Sequence, residues 1–228
     1  MFEYYSGEPL DESSVKTVKK NGKTLAVISS TQSIARVLNA IADDYAHATG
    51  KFDGITFENI INGRLLFDKY SLNWDAIKGS DEGKPRILCS TFDFGSLKKG
   101  EGLFNNVDIN AITEFTGTES IEDASKLFMN AKVSQLPPMS FPNATHANAI
   151  LAFVKTLDKL PILKFSYKCE TDFASTTELP GSQLFGEYDE TTKSEIERRL
   201  SFNRVTSLMR RMQEHIDNVK NEHLMSLI

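Results

Sequence analysis

The stretch from Glu190 to Ile228 constrains the fold more than any other part of the chain. It contains no proline and no glycine, and most of its residues favour helix. Its apolar residues recur at three- and four-residue steps and form one stripe, which consists of Phe202, Val205, Leu208, Met209, Met212, Ile216, Val219, His223 and Leu227. This spacing predicts a long amphipathic helix.

An apolar stripe of this length needs a partner, because leaving it in water would expose a large hydrophobic patch. A helix of 38 residues would be roughly 57 Å long, longer than a domain of this size is wide. We therefore expect the stripe to pack against a second copy of the chain. The predicted self-association residues are Val205, Leu208, Met212, Ile216 and Val219.

The same stretch carries a cluster of positive charge. Five of the eight arginines lie within fourteen residues that contain no acid, namely Arg198, Arg199, Arg204, Arg210 and Arg211. Residues 190–228 hold seven Lys/Arg and six Asp/Glu, whereas residues 1–189 hold nineteen and twenty-five. The pattern predicts contact with an acidic partner such as nucleic acid. The alternative is that the arginines lie along the stripe and pair with neighbouring glutamates.

Length and composition are those of an ordinary globular protein. A chain of 228 residues forms one large domain or two small ones and needs no disulfide or metal to fold. We expect an α+β body over residues 1–189, with a possible internal boundary at the proline-rich segment 134–145, and a separate helix over 190–228. No eighteen consecutive residues are apolar, so we expect no membrane span. The N-terminal residues are acidic and polar, so we expect no secretion signal.

Cys89 and Cys169 both lie in apolar runs and are expected to be buried thiols, which fits a reducing, cytoplasmic compartment.

Two Asn-Gly pairs predict tight hairpins. Asn21-Gly22 and Asn62-Gly63 each lie between runs that resemble strands, and Asn-Gly tolerates the positive φ that two-residue hairpin turns require. Further strands are predicted over 85–94, 107–116 and 161–169.

Three helices are predicted before the C-terminal one. The first begins at a cap residue, Thr31 or Ser33, and ends at Gly50, and the others begin at Ser120 and Thr145. No internal repeat is visible. The resulting fold class is α+β, with an antiparallel hairpin-built sheet, packed helices and a long C-terminal amphipathic helix.

The sequence contains no recognisable catalytic motif. Phosphate-binding loops, metal-ligand spacings and nucleophile elbows are absent, so we expect no cofactor and no metal. Asp75 with Glu82 and Lys84 matches the letters of a metal nuclease, but Glu82 is expected in a mobile turn. Asp43 and His47, four residues apart, are expected to be a surface pair.

Lys98 and Lys99 follow a predicted strand that is rich in aromatic residues. Such a sheet can stack single-stranded bases, although phenylalanines that simply fill the core are the favoured explanation.

Together these features predict a non-enzymatic protein that self-associates and contacts nucleic acid or another acidic partner. The alternatives are a purely structural assembly protein, such as a shell, tail or scaffold component, and a small enzyme with an unrecognised site. A short chain without motifs is common among viral and mobile-element proteins, so a virion-associated role is among the expectations.

Overall fold

The computed structural model describes residues 15–154, 156–158, 161, 163–166 and 169. In chain order its regular elements are β1 (Thr17–Lys20), β2 (Lys23–Ile28), α1 (Thr31–His47), β3 (Gly54–Phe57), β4 (Thr91–Asp93), β5 (Glu114–Thr116), β6 (Met139–Phe141) and β7 (Leu163–Phe165). Two short 3-10 helices lie at Trp74–Ala76 and Thr118–Ser120. The predicted helix over 190–228 lies outside the described residues.

The first hairpin and the first helix form as predicted. β1 and β2 pair in antiparallel fashion around Asn21 and Gly22, whose φ angles are 51° and 77°. The side chain of Ser30 caps α1 by accepting a hydrogen bond from the backbone of Ser33. The helix is capped one residue earlier than predicted. It ends at His47 with Ala48, which has a left-handed φ of 50°, as its C-cap, rather than at Gly50.

The sheet is mixed and mostly parallel. Its strand order is β1-β2-β3-β4-β5, and only the β1–β2 pair among these strands is antiparallel. β6 and β7 form a second, parallel pair. The mixed sheet and α1 agree with the predicted α+β class. The prediction that the sheet is antiparallel and built from hairpins was wrong.

From β3 onward the chain winds into stacked coils, and each coil contributes one strand. Isolated parallel bridges join Asn62 to Lys99, Lys99 to Asp123, and Asp123 to His146, so equivalent positions are 37, 24 and 23 residues apart. The last two spacings are nearly equal, as expected for stacked repeats, and the first coil carries an insertion. The expectation of no internal repeat was wrong.

Equivalent positions of the four coils share a spacing of residues that lie in the core or pack against it. Counting from residues 60, 97, 121 and 144, small or apolar residues recur at steps of 0, 3, 6 and 7. The four sets are Ile60, Gly63, Leu66 and Phe67; Leu97, Gly100, Leu103 and Phe104; Ile121, Ala124, Leu127 and Phe128; and Ala144, Ala147, Ile150 and Leu151. The phenylalanines at the last step stack from coil to coil, with ring centroids 6.2 Å and 5.5 Å apart.

The predicted helices beginning at Ser120 and Thr145 do not form in the described residues. Each coil turns sharply at an equivalent left-handed residue, with φ of 52° at Leu65, 62° at Gly102, 55° at Lys126 and 53° at Ala149. A left-handed residue in mid-segment breaks an α-helix. Backbone groups bond between coils instead, as in the 2.9 Å bond from Phe128 to the carbonyl of Ile150.

The prediction of a second hairpin at Asn62-Gly63 is also wrong. Asn62 pairs in parallel with Lys99, and the Gly63 amide donates to the Lys99 carbonyl at 2.8 Å. Gly63 does not have a positive φ, and its position is crowded, because an added Cβ would lie 3.0 Å from a methyl group of Leu97 and 3.2 Å from one of Leu103.

One hydrophobic cluster runs through the whole described region. It extends from the sheet and α1 through every coil to Cys169, and it includes Leu136 and Phe141 from the proline-rich segment 134–145.

We predict that Gly100→Val destabilises the fold by about 1–3 kcal/mol, because an added Cβ would lie 2.9 Å from a methyl group of Leu127 in the next coil. Urea unfolding measures the change, and Lys99→Val, at the exposed neighbouring position, is the control. Equal stability of Gly100→Val and the wild type would contradict the close stacking of coils.

Candidate binding face

The side of the sheet that faces away from the core is lined with polar residues. Alternate side chains of β3, β4 and β5, such as Phe92, point into the core, and those between them point outward. The outward residues stand in register, so that Thr56 neighbours Asp93, which neighbours Thr116, and Thr91 neighbours Glu114. We call these five residues the polar face.

Two lysines of the β1–β2 hairpin reach across this face. Lys20 Nζ lies 2.8 Å and 3.0 Å from the two carboxylate oxygens of Asp93. Lys23 Nζ donates to Thr91 Oγ1 at 2.8 Å and also contacts the carboxylate of Glu114. A flat sheet would hold β2 roughly 14 Å from β5, since neighbouring strands are about 4.8 Å apart. The extended side chains of Lys23 and Glu114 span most of this distance and meet over the polar face.

Gly54 makes room for these contacts. It stands between Leu25 of β2 and Thr91 of β4, in the row that Lys23 crosses. A Cβ at Gly54 would collide with the carbonyl oxygen of Thr91, so β3 and β4 approach each other more closely than a larger residue would permit.

Asp93 is the electrostatic centre of the polar face. Its side chain is fully buried, and it accepts hydrogen bonds from Thr56 Oγ1 at 2.5 Å and Thr116 Oγ1 at 2.8 Å in addition to those from Lys20. Burial by itself raises the pKa of this carboxyl, but the hydrogen bonds and the charge of Lys20 outweigh it and lower the pKa below its ordinary value. Asp93 is thus held ionised, which suits an anchor better than a proton-exchanging base.

Glu114 behaves in the same way at the solvent edge. The hydrogen bond from Lys23 lowers its pKa, with a smaller opposing effect of burial and further help from Thr91. The side chains of Lys23 and Glu114 are 36% and 44% exposed, so solvent screens this pair more than the Lys20–Asp93 pair.

Cys89 and Cys169 are both buried, as predicted, and they form no disulfide with each other. Burial raises the pKa of the Cys89 thiol to about 12, against a smaller lowering by the backbone of Ile55. This thiol is therefore protonated at neutral pH and is a poor nucleophile.

Lys98 and Lys99 lie on a turn of the coil after β4 and do not belong to the polar face. Both are exposed, and Lys98 Nζ pairs with Glu122 Oε1 of the next coil at 2.7 Å. Most of the neighbouring aromatic residues fill the core, because Phe57, Phe67, Phe92, Phe94 and Phe104 are buried. These five rings are not available to stack bases, whereas Tyr70 is 85% exposed.

The other predicted site residues lie outside the described residues. They are the arginines Arg198, Arg199, Arg204, Arg210 and Arg211, and the stripe residues Val205, Leu208, Met212, Ile216 and Val219.

The sequence-matched acids do not converge on a metal site in the described part of the chain. Asp75 and Glu82 are both exposed, and Glu82 has a left-handed φ of 49° in a turn, as predicted for it. Asp43 pairs with Lys78 at 2.5 Å. Among the described residues, no group of three or more His, Cys, Asp or Glu side chains is arranged to hold a metal ion.

Sequence reasoning missed the polar face. Its acids and the lysines that bind them are 73 and 91 residues apart in the chain, so only the sheet order brings them together. The available signal was the sequence KTVKKNGK, in which Lys16, Lys20 and Lys23 point to the same side of a hairpin once its turn is fixed at Asn21-Gly22.

No protein-family model, curated protein or solved structure matches the chain. None of the helices in the described residues has the length and apolar character needed to cross a bilayer.

We predict that Asp93→Asn lowers stability at pH 7 by about 1.5–3 kcal/mol, because it removes charge-assisted hydrogen bonds to a buried carboxylate. The folded-state pKa of Asp93 is below its unfolded value of about 3.9, so its contribution is present above that pH and is lost as the pH falls through the folded pKa. The wild type should therefore lose more stability than the variant below about pH 4.

Urea unfolding at a series of pH values measures this difference. Asp75→Asn, which changes an exposed carboxylate, is the control and should follow the wild type. Parallel pH profiles for the wild type and Asp93→Asn would refute the anchoring role of Asp93.

Proposed function

We propose that the protein is a non-enzymatic, self-associating scaffold that contacts an acidic partner through its C-terminal stretch. The observation that supports a scaffold is the stack of coils, in which each coil buries its apolar side against its neighbours and displays its outward side chains at fixed spacing. Repeat stacks of this kind commonly serve as extended surfaces for binding other macromolecules.

The electrostatics of the described region agree with a structural role. Asp93, its most deeply buried charged group, is committed to Lys20 and to two threonines. The coils are further joined at the surface by ion pairs, such as Lys132 with Asp108 at 2.9 Å and Arg64 with Glu101 at 3.1 Å. These charged groups hold coils together and are not grouped around a reaction centre.

Self-association and contact with an acidic partner rest on the sequence of residues 190–228. The stripe of Val205, Leu208, Met212, Ile216 and Val219 supplies the contact between copies, and the five arginines beside it supply the charge for a polyanion such as nucleic acid. If the arginines only flank the packing, the protein is a purely structural assembly component, which the coil stack supports equally well.

We predict that the wild type is larger than its monomer mass of 25.5 kDa in light scattering. Leu208→Asp with Ile216→Asp should give a folded monomer, because charged residues cannot be buried in an apolar contact. Circular dichroism checks that the variant is folded. A monomeric wild type, with a variant that unfolds, would show that the stripe belongs to the core of a single copy.

We predict that changing Arg199, Arg204, Arg210 and Arg211 to Glu leaves the oligomer intact but removes salt-dependent binding of a short single-stranded oligonucleotide. Fluorescence anisotropy at several salt concentrations measures this binding. Lys98→Glu with Lys99→Glu is the comparison, and its effect should be smaller because Lys98 is already paired with Glu122. Absence of binding by the wild type would leave the structural assembly function.

A further inference from the structure

The β1–β2 hairpin contacts three successive strands of the coil stack through one row of lysines. Lys16 pairs with Glu58, immediately after β3; Lys20 pairs with Asp93 in β4; and Lys23 pairs with Glu114 in β5. These pairs span 42, 73 and 91 residues of sequence. Backbone pairing alone joins the hairpin only to β3, so the lysines extend its contacts by two further strands.

The contacts of Lys20 and Lys23 are not those of loosely held surface lysines. Asp93 and Thr91 are 0% and 1% exposed although they lie on the side of the sheet away from the core cluster. An ion pair with one buried member is strongly coupled to its surroundings, because loss of the lysine leaves a buried carboxylate without a counter-charge.

We infer that the side chains of Lys16, Lys20 and Lys23 form an electrostatic strap across the polar face. Because of this strap, the hairpin and the first three strands of the stack open, by local unfolding, as one unit. This inference goes beyond the proposed scaffold function and does not depend on it. β1 is an edge strand with every residue exposed, and such strands ordinarily fray. With the strap in place, the hairpin opens only together with β4 and β5.

The strap also defines where that unit ends. None of its lysines reaches β6 or β7, which form a separate pair of strands. We therefore expect the coil that contains β6 to open independently of the strap.

Native-state hydrogen exchange at low salt tests the inference on the full chain. The strap is removed without leaving an unpaired charge by combining three paired changes, namely Lys16→Met with Glu58→Gln, Lys20→Met with Asp93→Asn, and Lys23→Met with Glu114→Gln. The matched control is Lys98→Met with Glu122→Gln, which removes an exposed ion pair between coils that does not involve the hairpin.

In the wild type, the protected amides of β2 should show the same opening free energy as those of β4 and β5. In the strap-free variant, exchange of the hairpin amides should increase by about tenfold or more relative to those of β4 and β5. The control should leave the hairpin and these strands coupled. A hairpin that already exchanges much faster than β4 in the wild type, or a strap-free variant that keeps the two coupled, would overturn the inference.

A second measurement covers the case in which the strap-free variant does not fold. The variant Lys23→Met with Glu114→Gln changes one partly exposed pair and leaves the buried Asp93 untouched, and the wild type can be compared between about 0.05 M and about 1 M salt. Both changes should speed exchange of the hairpin selectively. Equal acceleration of all strands, or no change, would show that the lysine pairs do not couple the hairpin to the stack.

Discussion

The stacking of one coil on the next is the constraint on which the rest of the structure depends. It is carried by backbone hydrogen bonds, such as that from the Gly100 amide to the Asp123 carbonyl at 2.8 Å, and by small residues that let the coils approach. Without this approach the phenylalanines of successive coils could not stack, and β4 could not pair in register with β3 or with β5. The polar face exists because that register places Thr56, Asp93 and Thr116 in one row.

The spacing of apolar residues within each repeat resembles that of an amphipathic helix. Apolar residues at Ile121, Ala124, Leu127 and Phe128 follow the spacing of an amphipathic helix, and all four are indeed buried. The burial of these residues could be predicted, but their backbone conformation could not, because the sequence of this one segment does not reveal the left-handed φ of Lys126. Comparison of this segment with the one beginning at Leu97 would have shown the same steps and indicated a coil.

The two Asn-Gly pairs show how local signals depend on their surroundings. Asn21-Gly22 forms the predicted turn because antiparallel strands flank it and nothing lies close to Gly22. The side chains of Leu97 and Leu103 crowd Gly63, so tertiary packing rather than turn geometry determines the conformation of the second Asn-Gly pair. The candidate site was harder still to predict, since an acid such as Asp93 is recognisable as an anchor only after the sheet order has brought Lys20 to it.

A stack of repeats needs a cap, because its first coil otherwise exposes the apolar side that later coils cover. Here the cap consists of the hairpin, α1 and the insertion that lengthens the first coil between Phe67 and Arg86. Within the insertion, Trp74 is buried and donates to the Phe67 carbonyl at 3.1 Å, while the Lys78 amide donates to Asn39 of α1 at 2.6 Å. The insertion thus ties the helix to the first coil, and the strap ties the hairpin to β4 and β5. A cap held at both places resists separation from the first coil.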